Sequence, residues 1–514
     1  MNQKMGRTEY SARNSTVAVI SRVSAILMGF IARVVFTHTL SSAYVGINGL
    51  FSDILNIMAV SELGAHTAVS FALYKPIASG DIEKQKTLMR IFRRFYYIVA
   101  GIILAGGLAV TPFLGILIRD KAAVPDLTLI YFMYVANSVL SYLGIYRKII
   151  IDAHQQSYIS TMIRTGFWVL QNVLQIVILL LTGNFILYLS IWIACTVISN
   201  ICIHIKAGKM YPFLNDRDVK SLNDKERLSL DEDVRAMMIH KAGSVIVNNT
   251  DNLLLSSLVG TLALGCYSNY YLIIGSVRQV LEQVFEGMTA SIGDMNVNVS
   301  KDRIVRVFNS VFFLGQWIYG LITIMLFEIL DVFVSLSFGV QYRFDSKVTI
   351  VLCLVFYFSG MRQPVLIFRN SMGLFKYDKW KAAAEAVINL VVSLLLGFRY
   401  GTAGIFLGTL ISLLLTSFWV EPFMFYKHRL GRSCAPYFLK YAYYTFITFA
   451  LMVIEHSLIN RLISGLSSWG GLIIRILITF GVTNLVYMAL YRRNPDFVYL
   501  RCKASEVLEN RLTK

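Results

Sequence analysis

The chain has 514 residues, of which 56% are hydrophobic and only 15% charged, with a formal net charge of +18. Ordinary soluble domains carry roughly 25% charged residues, so a water-soluble architecture is excluded. The basic excess then belongs at one face of a membrane and not on a nucleic acid.

Apolar runs of about 20 residues, enough to cross about 30 Å of hydrocarbon, recur along the whole sequence. They predict an all-α polytopic membrane protein of about fourteen transmembrane helices, in two six-helix lobes plus two C-terminal helices. Lys4, Arg7 and Arg13 precede the first run as in a secretory signal. No small-residue cleavage site follows and Arg22 and Arg33 interrupt the run, so a retained first helix is expected. The first six spans are Ser15–Thr37, Gly46–Leu73, Phe95–Ile118, Leu127–Tyr146, Ile159–Leu181 and Phe185–Ile205. Lys206–Lys241 alternates charge signs around Leu214, Val219, Leu222 and Leu228 and reads as an amphipathic cytoplasmic linker. The second lobe follows as Ala242–Leu258, Ala263–Ser291, Val307–Leu326, Val348–Phe368, Ala382–Leu396 and Thr402–Met424. Segment 425–491 holds two more spans, Tyr441–Ile459 and Trp469–Tyr491, ahead of a basic tail, Arg492–Lys514.

With the N-terminus inside, 36 of the 48 Lys and Arg fall in cytoplasmic segments, six in outer segments and six within spans. That asymmetry sets orientation and predicts both termini in the cytoplasm. Outer loops are short, and the longest, Phe327–Lys347, is itself half apolar, so no extracytoplasmic catalytic domain fits. The six cysteines form no CxxC motif and no outward-facing pair, which argues against disulfides and metal sites. Phosphate-loop, HExxH and GxSxG signatures are missing, so no nucleotide-driven pump, enzyme or cofactor is expected.

Chemistry then falls to polar residues inside the spans, because a charge at the bilayer centre costs a few kcal/mol and usually faces a cavity or partner. Arg22 and Arg33 lie eleven apart on the first helix, about 20° from one face at 100° per residue, with Gly29 between. They either line a cavity or snorkel to opposite interfaces. The second helix carries Asp53, Asn56, Glu62 and His66, the last two one turn apart and able to share a proton or cation, or merely to satisfy each other. Asn248, Asp251 and Asn252 share a face with Ser244 on the seventh, as an ion site or as interhelical hydrogen bonds. Arg278, Glu282 and Glu286 follow at four-residue spacing on the eighth, as an internal ion ladder or a transport site. Arg164, Arg362 and Arg475 lie nearer span ends and read as anchors.

Thr39-Leu40, Tyr44-Val45-Gly46-Ile47-Asn48-Gly49-Leu50-Phe51, Ser61-Glu62-Leu63-Gly64 and Leu73-Tyr74-Lys75-Pro76 form one set of motifs. Val247-Asn248-Asn249-Thr250-Asp251-Asn252 with Gly265-Cys266-Tyr267-Ser268-Asn269-Tyr270 form another. On these the chain resembles the polysaccharide flippases of the Wzx type over nearly its whole length. The resemblance implies the multidrug, oligosaccharidyl-lipid and polysaccharide exporter fold. It also implies transfer of an undecaprenyl-diphosphate-linked oligosaccharide across the bacterial cytoplasmic membrane, with a polymerase and glycosyltransferases as partners. Such an anion needs fixed positive charge, for which Arg22, Arg33 and Arg278 are the substrate-binding candidates. Asp53, Glu62, His66, Asn248, Asp251 and Glu282 are the candidates for ion coupling. The carboxylates keep open a cation-coupled drug exporter of the same superfamily, and a membrane polymerase is a further alternative that the short outer loops disfavour.

Overall fold

The computed structural model describes residues 7–58, 72–118, 124–216, 250–286, 300–372, 380–462 and 468–502, with single positions 288, 292 and 374. Among the described residues there is no β-strand, and ten helical stretches are long and apolar enough to cross a membrane. A helix satisfies its own N–H and C=O groups where lipid offers no partner, which is why apolar runs take this form. The chain is an all-α polytopic membrane protein. It divides into two compact units, Met1–Gly265 and Cys266–Lys514.

The first unit contains α1 (Arg7–Thr39), α2 (Ser42–Met58), α3 (Ile82–Val110), α4 (Leu127–Ala153), α5 (Ser157–Thr182) and α6 (Phe185–Met210). Their ends follow local chemistry. Asp81 caps α3 by accepting from Lys84 N at 2.9 Å, and Asn184 caps α6 by accepting from Ile186 N at 2.8 Å and Leu187 N at 3.1 Å. Gly183, at φ +61°, closes α5, and 182–184 is one of the short outer loops expected. Helices α4 and α6, α1 and α5, α3 and α4, and α5 and α6 pack in pairs. Asn200 of α6 donates to the carbonyls of Leu140 and Ser141 at 3.1 and 3.2 Å, pinning α6 to α4 where Gly144 makes room.

Helix α7 (Thr261–Glu286) begins in the first unit. A Cβ at Gly265 would lie 2.8 Å from Ser42 O, and one at Gly46 would strike the backbone of Thr261. Two glycines from the two sets of motifs therefore mark one close backbone approach. Glu62, His66, Ser244, Asn248 and the linker from 217 to 241 lie outside the described residues.

The second unit is arranged around α8 (Lys301–Phe338), against which α9 (Ser346–Gly360), α10 (Gln363–Ser371), α13 (Ala435–Leu462) and α14 (Trp469–Tyr491) pack. Between them run α11 (Lys381–Leu415) and α12 (Ser417–Phe425). The expected outer loop Phe327–Lys347 is helical as far as Phe338. Its carboxylates do not end the helix because they have partners. Tyr270 and Thr349 donate to Asp331 at 2.6 and 2.7 Å, and Glu328 is held by α13 and α14.

Expected span Val348–Phe368 breaks at Met361 and Arg362, just ahead of Pro364. Thr402–Met424 breaks at Thr416, where φ is −122° and ψ −86°. Within α11 the chain reverses at Gly401, φ 59° and ψ −135°, so that Asn389 Nδ2 donates to Thr409 Oγ1 at 3.0 Å and Ser393 Oγ to Ile405 O at 2.9 Å. The segment is two antiparallel arms, as the separate spans Ala382–Leu396 and Thr402–Met424 anticipate.

Candidate functional site

On α1 the exposed apolar residues are Ile20, Val23, Leu27 and Ile31, a stripe at three- and four-residue spacing. At about 100° per residue, Arg22 and Arg33 sit about 145° and about 125° round the helix from that stripe. They face inward with Gly29, where a Cβ would lie 3.9 Å from the Trp168 ring of α5. The Nη2 atom of Arg22 is buried and has no hydrogen-bond partner among the described residues. Arg33 lies close enough to the Tyr134 and Tyr188 hydroxyls to act on them electrostatically.

Trp168 also borders a cavity of about 410 Å³ between α4, α5 and α6. Arg164, Gln171, Trp192 and Asn200 supply its polar and aromatic walls. The parallel packing of α1 on α5 sets which levels meet: Asn14 Nδ2 donates to Gln155 O and Tyr158 N to Asn14 Oδ1, both at 2.8 Å. Arg164, read from its position as an anchor, faces this cavity instead.

Asp53 is half-buried and accepts from Asn252 Nδ2 at 2.7 Å, while Asn48 of the same helix accepts from the Tyr134 hydroxyl. The structure thus brings Asp53 and Asn252 together, with Asp251 beside them in sequence. Among the described residues no group of His, Cys, Asp and Glu is arranged to hold a metal ion. Beside the Asp53 carboxylate, the described residues of this unit offer guanidinium charge, indole and phenol surface, and amide hydrogen bonds.

In the second unit Arg278 Nε donates to Glu282 Oε1 at 2.7 Å, and Gln363 Nε2 reaches the same oxygen at 3.3 Å. That pair forms the first step of the expected ladder. A denser cluster joins α10, α11 and α12. Arg362 grips Glu421 through Nη2 to Oε1 at 2.8 Å and Nε to Oε2 at 3.1 Å, a bidentate pairing. Lys381 bonds the same Oε1, and Arg369 Nη1 lies 3.7 Å from it. Glu385, 3.7 Å from Arg362 Nη1, accepts from Ser417 Oγ at 2.6 Å. Arg475 is likewise no interfacial anchor, since its Nη1 lies 3.6 Å from Glu328 Oε2.

No family model and no curated protein matches the sequence. Among solved structures, one described as lipid II flippase MurJ in an inward closed conformation superposes with a TM-score of 0.64. The match covers 93% of this chain and 98% of that one at 14% identity. A multidrug resistance MATE family transporter of the MOP superfamily, inward-facing, superposes at 0.55 over 79% of this chain and 97% of its own, at 13% identity. This chain shares their fold.

Sequence reasoning passed over Glu421, Glu385 and Lys381, and also Glu328, Glu455 and His456. The signal was present, because each glutamate stands in or beside an apolar run where a carboxylate needs a partner. Glu328 fell in the assumed outer loop, and Glu421 at the edge of a span.

Proposed function

We propose that this chain is a flippase that moves an undecaprenyl-diphosphate-linked oligosaccharide from the inner to the outer face of the bacterial cytoplasmic membrane, for assembly of cell-surface polysaccharide. The observation that carries the reading is the inward-facing pair Arg22 and Arg33 on α1, opposite its exposed apolar stripe. Guanidinium in a water-poor interior is suited to a diphosphate, which it meets with paired charge-assisted hydrogen bonds. The motifs that resemble the Wzx type, and the shared fold of a lipid II flippase, support the same cargo class. Asp53 favours a second reading, a cation-coupled drug exporter, but its carboxylate is already engaged by Asn252.

The test is complementation of a flippase-deficient strain with Gln and Lys variants at Arg22 and Arg33, with protein level in the membrane measured alongside. Gln at either position is expected to abolish polysaccharide export without lowering insertion, because removing a buried charge eases insertion. Lys is expected to restore only part of the export, since the charge survives and the planar fork does not. Full export by both Gln variants would overturn the reading.

A further inference from the structure

We propose that Glu455 is a proton-binding site, lying beside the His456–Glu328 pair, that ties the second unit to the proton gradient. The coupling half of the proposal rests on the transport reading above; the site itself does not.

Glu455 lies on α13 and is 1% exposed. Its Oε1 accepts from Thr483 Oγ1 of α14 at 2.7 Å, and its Oε2 is buried with no hydrogen-bond partner among the described residues. The other buried glutamates of this unit differ. Glu421 has Arg362, Arg369 and Lys381 around it, and Glu328 has His456 Nδ1 at 3.0 Å and Arg475 Nη1 at 3.6 Å. Among the described residues, Glu455 is contacted by a hydroxyl and no cation.

A lone ionised carboxylate in an apolar interior is costly, and the group neutralises instead. A hard metal cation would need several oxygen ligands, whereas a proton needs a single oxygen. Thr479, one turn from Thr483 on the same face of α14, is fully buried with its hydroxyl also unpartnered among the described residues. The helix face opposed to Glu455 is therefore polar but uncharged at this level.

The groups that surround Glu455 define what its proton responds to. Glu328 of α8 acts on it electrostatically, and Glu455 acts in turn on Tyr487 of α14. Glu328 has the cationic partner Arg475 and the imidazole of His456 around it, and a negative charge held there opposes a second one at Glu455. His456 is 44% exposed at its side chain, and its Nε2 is 3.0 Å from Asn460 Nδ2. It is the half-exposed titratable member of the cluster. His456 Nδ1 lies 3.0 Å from Glu328 Oε1, so the half-exposed imidazole is the member of the cluster through which a proton enters.

The experiment uses the full chain in lipid nanodiscs, titrated while the infrared absorption of protonated carboxylic acids is recorded. The wild type is expected to show an acid C=O band that disappears as pH rises, and E455Q is expected to lack it. Gln keeps the acceptor for Thr483, so folding is checked by gel filtration and thermal midpoint. Dicyclohexylcarbodiimide, which attacks protonated carboxyls in apolar sites, is expected to modify Glu455 and to lose that ability as pH rises. An unchanged band in folded E455Q overturns the site. Proteoliposomes carrying a fluorescent undecaprenyl-diphosphate-linked sugar then test coupling. If the wild type flips the probe and E455Q responds identically to a pH gradient, the coupling inference fails and the flippase reading stands. If Glu455 titrates but the wild type never flips the probe, the flippase reading fails and the proton site stands.

Discussion

Glu421 holds three helices by one carboxylate: it is fully buried, with Arg362 and Arg369 from the α10 region and Lys381 from α11 turned toward it. Removing one member of a buried ion cluster leaves the others uncompensated, at a cost of about 3–5 kcal/mol. E421Q is expected to lower the thermal midpoint of the purified protein sharply, and adding K381M to recover part of the loss by withdrawing one stranded cation. A midpoint that E421Q leaves unmoved would show that water reaches the cluster. The contrast is Arg278 with Glu282, whose side chains are 47% and 31% exposed; E282Q is expected to cost about 0.5 kcal/mol or less, as for exposed pairs. At this scale the sequence was partly legible. Arg22 and Arg33 stood out because each is a lone cation deep in an apolar run. Glu421 and Glu455 are also carboxylates in or beside apolar runs, but which of them meets cations from other helices and which meets only a hydroxyl cannot be told from spacing along one helix.

Elements were read well where composition alone decides them. Gly401, between two apolar runs, takes a conformation few other residues tolerate, and the two arms of α11 close on each other beyond it. A Cβ at Gly408 would collide with Ser393, and one at Gly404 with the Leu396 backbone. This is the small-residue spacing that lets helices touch in lipid. Gly408→Leu is expected to splay the arms and destabilise by about 1–3 kcal/mol or more, as overpacking does. The measurement is again the thermal midpoint, with Ala at the same position giving a smaller loss. Reading failed at the end of α8, where Glu328 and Asp331 suggest a loop although the run around them stays apolar as far as Phe338. Both are helical because α13, α14, Tyr270 and Thr349 supply partners that lie far along the chain.

At the scale of the molecule, the all-α polytopic architecture was legible because apolar length is a physical requirement of the bilayer. Orientation rests on the distribution of Lys and Arg, which is expected to place Cys434 and Cys502 in the cytoplasm. Cys502 is exposed and Cys434 partly so. A membrane-impermeant thiol reagent is expected to label them only after cells are permeabilised, and labelling of both in intact cells would reverse the topology. Helix α8 has a consequence of another kind. Its 38 residues span about 57 Å at 1.5 Å each, against about 40–45 Å for a bilayer with its headgroups. Such a rod must lean, or stand out into water at its Lys301, Arg303 and Arg306 end, by an amount that the thickness of the lipid sets. Four other helices lie along it, so acyl-chain length becomes a mechanical input to the whole second unit, applied by the membrane itself and independent of any ligand.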